Sequence, residues 1–206
     1  MKQQERQAAS RQKILQAALE EFGSRIYDGT SMERICARHH ITQGMMSHYY
    51  SSNGERFLLC VADIFRRLGD YLTQQMLRPG GSHPLGSVNR YFTAREQFFL
   101  QRPLEKRVYE NATLYPPEEL REQIEGLRRP IRELNRRFLN QVLAGITLRP
   151  GLEGERAARY CESMVDLFSP LVERYAPQEE ITGLTGLLTV FEEFLDLVLY
   201  GVAWRE

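Results

Sequence analysis

Apolar residues recur at three- and four-residue steps along almost the whole chain, and that spacing predicts helices. Ile14, Ala18 and Phe22, with Leu15 and Leu19 beside them, make one apolar face over two turns. Gly23 stands near the place where that helix would end. The run DGTSMERICARHHIT follows. Asp28-Gly29 signals a turn, and Thr30 with Glu33 has the T-x-x-E spacing of a capping box. The helix it opens is short, because His39-His40 and then Ile41-Thr42 interrupt the pattern. Thr42 can cap another short helix through Tyr49. Ser52 with Glu55 repeats the capping spacing at the head of a long helix carrying Phe57, Val61, Ile64, Phe65, Leu68, Leu72 and Met76.

A Gly/Pro-rich run from Arg78, RPGGSHPLGS, predicts a loop. Val88, Tyr91, Phe92, Phe98 and Phe99 then predict a helix stopped near Pro103, and Leu104 to Leu114 a short one closed by Pro116-Pro117. From Glu118 the steps Leu120, Ile124, Leu127, Ile131, Leu134, Phe138, Val142 and Ile146 mark a long helix, which Pro130 should kink. Residues 155–175 put Ala158, Cys161, Val165, Phe168, Val172 and Tyr175 on one face, with a bend expected at Pro170. Residues 181–202 carry two adjacent apolar rows. One row runs Ile181, Leu184, Leu188, Phe191, Leu195, Val198 and Val202; the other adds Leu187, Val190, Phe194 and Leu197. One stripe suffices for packing against a core. Two point to a second partner, and a helix pair meeting its own copy in a four-helix interface satisfies both. Nothing alternates in steps of two between hairpin turns, so the expected fold is all-α.

Composition narrows the class. The chain has 206 residues, 42% of them hydrophobic and 26% charged, as in an ordinary globular protein. No stretch approaches a membrane span, and the N-terminus lacks the apolar core of a secretory signal. Three widely spaced cysteines, Cys36, Cys60 and Cys161, read as buried thiols in a reduced, cytoplasmic protein. Net charge is zero, but residues 1–13 hold Lys2, Arg6, Arg11 and Lys13 against Glu5 alone, a small basic arm able to attract phosphate.

Two short helices around residues 31–38 and 42–49, preceded by an amphipathic one, make a helix-turn-helix. Its second helix must expose groups that reach base edges in a major groove. Gln43, Ser47 and His48 can hydrogen-bond there, Met45 can meet a thymine methyl, and Gly44 lets the backbone approach. Tyr49 and Tyr50 can bond phosphate or pack inward, while Ile41 and Met46 face inward.

The stretches ILQAALEEF, DGTSMERIC and ITQGMMSHYYSSNGERF resemble the DNA-binding domain of the tetracycline-repressor (TetR-like) family, over about a quarter of the chain. The resemblance implies a head over residues 1–54, arm included, that reads operator DNA through Thr30, Ser31, Thr42, Gln43, Gly44, Met45, Ser47, His48, Tyr49 and Asn53. The chain departs from the pattern at Cys36 (usually Ala), His39-His40 (usually Ala-Gly), Ser47 (commonly Tyr) and Asn53 (commonly Lys). The last two alter customary phosphate contacts, and position 40 calls for a positive φ that His accepts less readily than Gly.

For residues 55–206 the resemblance implies a ligand-binding and dimerisation domain. An apolar small-molecule effector would lie among Phe65, Leu68, Tyr71, Phe92, Phe99, Tyr109, Phe138 and Phe168. Phe168, Val172, Leu184, Leu188, Phe191, Leu195 and Val198 would form the homodimer interface. The expected protein is thus a repressor of a palindromic operator, with no cofactor, metal or membrane partner. Two rivals are a helical adaptor that borrows the helix-turn-helix shape, and an all-α enzyme using the C-terminal pocket. Against the enzyme, no His, Asp, Glu and Cys stand at useful spacing; adjacent His39 and His40 point apart and cannot share a metal. The arginines from Arg121 to Arg137 are interleaved with Glu122, Glu125 and Glu133 and read as a solvated face.

Overall fold

The computed structural model describes residues 2–25, 27–76 and 84–163, without the side chains at positions 2, 84–86, 88, 89 and 92. Their elements are helical: α1 (Lys2–Ser24), α2 (Met32–His39), α3 (Gln43–Tyr49), α4 (Asn53–Met76), α5 (Pro84–Leu100), α6 (Pro103–Leu114) and α7 (Arg121–Leu143). Single 3-10 turns at Tyr27–Gly29 and Glu118–Leu120 precede α2 and α7, and residues 154–163 are helical again. The all-α expectation holds, and most of the helices fall where periodicity put them.

Three local differences have physical reasons. The basic stretch before Ile14 is not an arm: it forms the first three turns of α1, since no Gly or Pro interrupts its Gln, Glu, Arg and Ala residues. The expected loop ends sooner than its composition suggests, because Pro84 opens α5, the first helical turn being where proline is best tolerated. The long helix foreseen from Glu118 to Ile146 is α7 alone, begun by a 3-10 turn and closed at Leu143, with Pro130 inside it. The dimer residues Phe168, Val172, Leu184, Leu188, Phe191, Leu195 and Val198 lie outside the described residues.

The chain forms two compact units. The first takes in Met1–Arg67 and Arg102–Arg128; the second takes in Leu68–Gln101 and the chain from Arg129 on. In the first unit, Ile14, Ala17, Ile35, Cys36, Ile41 and Met46 make the core that joins α1, α2 and α3. A second cluster stacks Phe22 on Tyr27 and sets both edge-on to Phe57, with centroids 5.1–6.1 Å apart. α1 crosses α6 at Gly23, where a Cβ would come within 2.6–2.8 Å of the Cβ, carbonyl oxygen and Cα of Leu104. Gly23 stands one residue before the end of α1, as its spacing predicts, and it also lets two backbones touch.

In the second unit, Tyr91 stacks on Phe138 at 4.2 Å and its hydroxyl donates to Asn135. Tyr71 leans on Phe98, which meets Phe99 edge-on. Arg132 of α7 reaches Glu162 at 3.7 Å, tying α7 to the helix that follows. Cys36, Cys60 and Cys161 are free and buried, and burial raises the pKa of each thiol. None of the described helices is long and apolar enough to cross a membrane.

Candidate nucleic-acid interface

Local hydrogen bonding fixes both helices of the head. Ser31 caps α2, its hydroxyl accepting from the Arg34 amide at 3.4 Å. The cap is thus one residue later than the Thr30–Glu33 spacing predicts, because Thr30 is 6% exposed and donates its amide to the Tyr27 carbonyl. The backbone bond at Glu33 itself, together with a Ser31 hydrogen bond, lowers the Glu33 pKa. The helix ends at His40 in the left-handed region (φ 51°, ψ 47°), with the Ile41 amide returning to the Cys36 carbonyl at 3.0 Å. Lys13 of α1 donates to the His40 carbonyl at 3.1 Å. Because an L-residue is strained at that φ, His40→Gly is expected to stabilise the fold by about 0.5–1 kcal/mol. Thermal unfolding would show a rise in Tm; a fall would disprove the account.

Thr42 caps α3 as expected, its Oγ1 accepting from the Met45 amide at 3.2 Å. Met46 is fully buried and anchors the helix; Met45 and Tyr49 are half-buried against the same core. This leaves Gln43, Gly44, Ser47 and His48, at steps of one and four, sharing one exposed face. Nothing stands within 4 Å of a Cβ built on Gly44, so its backbone is open to an approaching partner. Ser47 donates weakly to the Met32 sulfur at 3.6 Å. The His48 ring meets Tyr49 edge-on at 5.0 Å, and the Arg11 guanidinium lies 5.7 Å over the Tyr49 ring. Of the residues expected at the DNA, Gln43, Gly44, Ser47 and His48 thus share this exposed face, whereas Met45, Tyr49 and Asn53 are half-buried and Thr30 is buried. Asn53 turns its amide toward the Tyr27 carbonyl at 3.5 Å.

α4 begins with the second capping spacing intact. The Glu55 amide donates to Ser52 Oγ at 3.0 Å, while the Glu55 carboxylate accepts from the amide (2.6 Å) and hydroxyl (3.1 Å) of Ser51. Those Ser51 bonds lower the Glu55 pKa. Tyr27 supports the same corner. Its pKa is raised, first by burial and then by the nearby Glu119, with which it hydrogen-bonds.

Two charged residues were not anticipated. Glu21 is fully buried beside Arg38 (2.8 Å), Arg25 (3.8 Å), Arg34 and the His39 imidazole (both 4.0 Å), joining α1 to α2. The helical spacing held a sign of this, since Glu21 falls seven residues after Ile14 and four after Ala17. Arg56, 3% exposed, likewise sits four residues before buried Cys60, and burial lowers its pKa. Between Glu33 and Glu55 the chain has no acidic residue, while Arg34, Arg38 and three histidines fall there. That segment suits a polyanion. Among the described residues no group of His, Cys, Asp and Glu is placed to hold a metal.

The sequence of this head carries its own affinity. Residues 14–55 match the model of the bacterial regulatory proteins of the tetR family. The chain resembles the TetR regulators. A TetR family transcriptional regulator from Chloroflexus aurantiacus shares the fold with a TM-score of 0.70 at 20% identity, over 96% of this chain and 95% of that one. The ketosteroid transcriptional regulator KstR2 of Mycobacterium tuberculosis matches at 0.65 and 19%, over 95% of both chains. FadR of Bacillus subtilis, solved with stearoyl-CoA, matches at 0.70 and 12%, over 89% of this chain and 96% of its own. No functionally curated protein matches in sequence. The TetR-type architecture, a helix-turn-helix head followed by a helical body, accounts for α1 to α7.

The residues expected around an effector fall into separate groups. Phe65 and Tyr109 meet edge-on at 5.7 Å within the first unit. Leu68, Tyr71, Phe99 and Phe138 belong to the second; Leu68, Phe99 and Phe138 are buried and Tyr71 half-buried. Phe168 and the Phe92 side chain lie outside the described residues. An open cleft of about 400 Å³ in the second unit is lined instead by Arg136, Asn140, Leu143, Ala144, Gly154 and Glu155.

Proposed function

We propose that this protein is a homodimeric transcriptional repressor that binds a short palindromic operator and is released by a small apolar effector. The exposed α3 face of Gln43, Gly44, Ser47 and His48, capped by Thr42 and anchored by Met46, carries the reading. It offers hydrogen-bonding groups and open backbone in a segment free of acid, as a major-groove reader requires. Tyr49 and the N-terminus of α4 flank it as phosphate contacts. Residues 1–54 act as the reading head and the rest as the ligand-binding and dimerisation body, without enzymatic activity, in the cytoplasm.

The two-row pattern over residues 181–202 supports the dimer, and a dimer turns one reading helix into a reader of two half-sites. The ligand reading draws on the body's aromatics and on FadR and KstR2, whose names concern a fatty acyl thioester and ketosteroids. A ligand that prefers the wrong head spacing lowers operator affinity by its differential affinity for the two states. Selection from a random-duplex pool, with mobility shifts at two salt concentrations, tests the proposal. A palindromic sequence should be enriched, its binding weakening steeply with salt. Enrichment of no sequence would refute it, as would a folded monomer in sedimentation.

A further inference from the structure

Three residues link α3 to α4, and the first turns of α4 hold each of them. Glu55 accepts from the amide and hydroxyl of Ser51 and donates its amide to Ser52. Arg56 completes the set: its Nη1 donates to the carbonyl of Tyr50, the cap of α3, at 3.2 Å. That bond is made by a side chain only 3% exposed, whose buried Nε has no hydrogen-bond partner. Glu33 and Glu55 act on it only from beyond ion-pair distance. A buried cation without a close anion is costly, and an apolar side chain of that length would fill the space at lower cost. What an apolar residue cannot supply is the donor to Tyr50.

We infer that Arg56 is a positioning residue for DNA recognition, a latch that sets the pitch of α3 against α4 through the Tyr50 carbonyl. α4 continues unbroken past Arg67, where the first compact unit gives way to the second. A displacement of α4 is therefore passed to the Gln43–His48 face through this bond, alongside the Ser51 and Ser52 contacts. The inference rests on the DNA-reading role proposed above, but the latch itself exists in the free protein and has its own readout.

Arg56→Met removes the donors while keeping an apolar stem; Arg56→Lys keeps a donor for the carbonyl. Amide hydrogen exchange over residues 43–52 of the free protein reports the latch, and affinity for a duplex enriched from the random pool reports its use. The Met variant should stay folded, exchange faster over 43–52 and bind about tenfold or more weakly, as expected for loss of a charge-assisted hydrogen bond. Its salt dependence should be unchanged, since no phosphate contact is lost. The Lys variant should recover most of both effects. Wild-type behaviour of the Met variant in either readout would overturn the inference, as would equal losses in the two variants. If the Met variant fails to fold, Arg56→Lys decides: near-wild-type exchange and affinity support the latch, and loss of both overturns it. If the wild type enriches no duplex, the DNA-binding reading falls and hydrogen exchange alone judges the latch.

Discussion

Gly23→Ala is expected to destabilise the first unit by about 3 kcal/mol or more, through one added methyl group. The new Cβ would lie within 2.6–2.8 Å of Leu104, and two of the three atoms it meets are backbone. A side-chain end could rotate away; a carbonyl oxygen and a Cα move only if α6 moves with them. The crossing of α1 and α6 must therefore open, loosening the packing around Phe22 and Leu19 beside it. For a chain of this size the change corresponds to a Tm lowered by roughly 6–12 °C, measurable by circular dichroism. Gly126→Ala is the control. It adds the same methyl inside α7, where nothing stands within 4 Å, and should stabilise by up to about 1 kcal/mol. Equal melting of the two variants would refute the close-approach argument.

The second large effect concerns binding. Gln43→Ala with His48→Ala should weaken the selected operator roughly a hundredfold or more, since each base-edge contact is worth about 1–3 kcal/mol. Both side chains are exposed, so the melting temperature should stay within a degree or two. Gly44→Ala sharpens the test because its two effects have opposite signs. Alanine is favoured over glycine by about 0.5–1 kcal/mol in a helix interior and by less in the first turn, where Gly44 stands, and no neighbour opposes it here. A more stable protein that binds its operator less well is therefore expected. If Gly44→Ala binds as tightly as the wild type, the α3 backbone does not approach the DNA.

The local part of this architecture was legible in the sequence. Thr42, Ile41 and Met46 could be placed because capping and three- or four-residue spacing are decided within a few residues of each position. The left-handed backbone at His40 was legible only through the resemblance, whose pattern has Gly at that position. Ser31 was missed as the α2 cap because Thr30 offers the same chemistry one step earlier, and only the Tyr27–Gly29 turn, which buries Thr30, separates them. The roles of Gly23 and Arg56 were hidden for another reason. Gly23 meets a residue 81 positions away, and periodicity carries no information about such partners. Arg56 is a charged residue on a buried stripe; composition places it in water, and only the fold shows the carbonyl it holds. The body's aromatics were visible as core candidates, but periodicity could not show that Phe65 and Tyr109 would pair in one unit while Tyr71, Phe99 and Phe138 packed in the other.

The Gly23–Leu104 crossing also limits how a chain of this fold can be taken apart. An exchange of heads between two such chains, cut between Ser52 and Asn53, would carry α1 away from the α6 it is shaped to meet. Tyr27, bonded to Glu119 and standing beside Gly54, would lose its partners too. A transplant that keeps its stability has to take residues 102–128 with it. Two segments far apart in the gene are therefore constrained to change together.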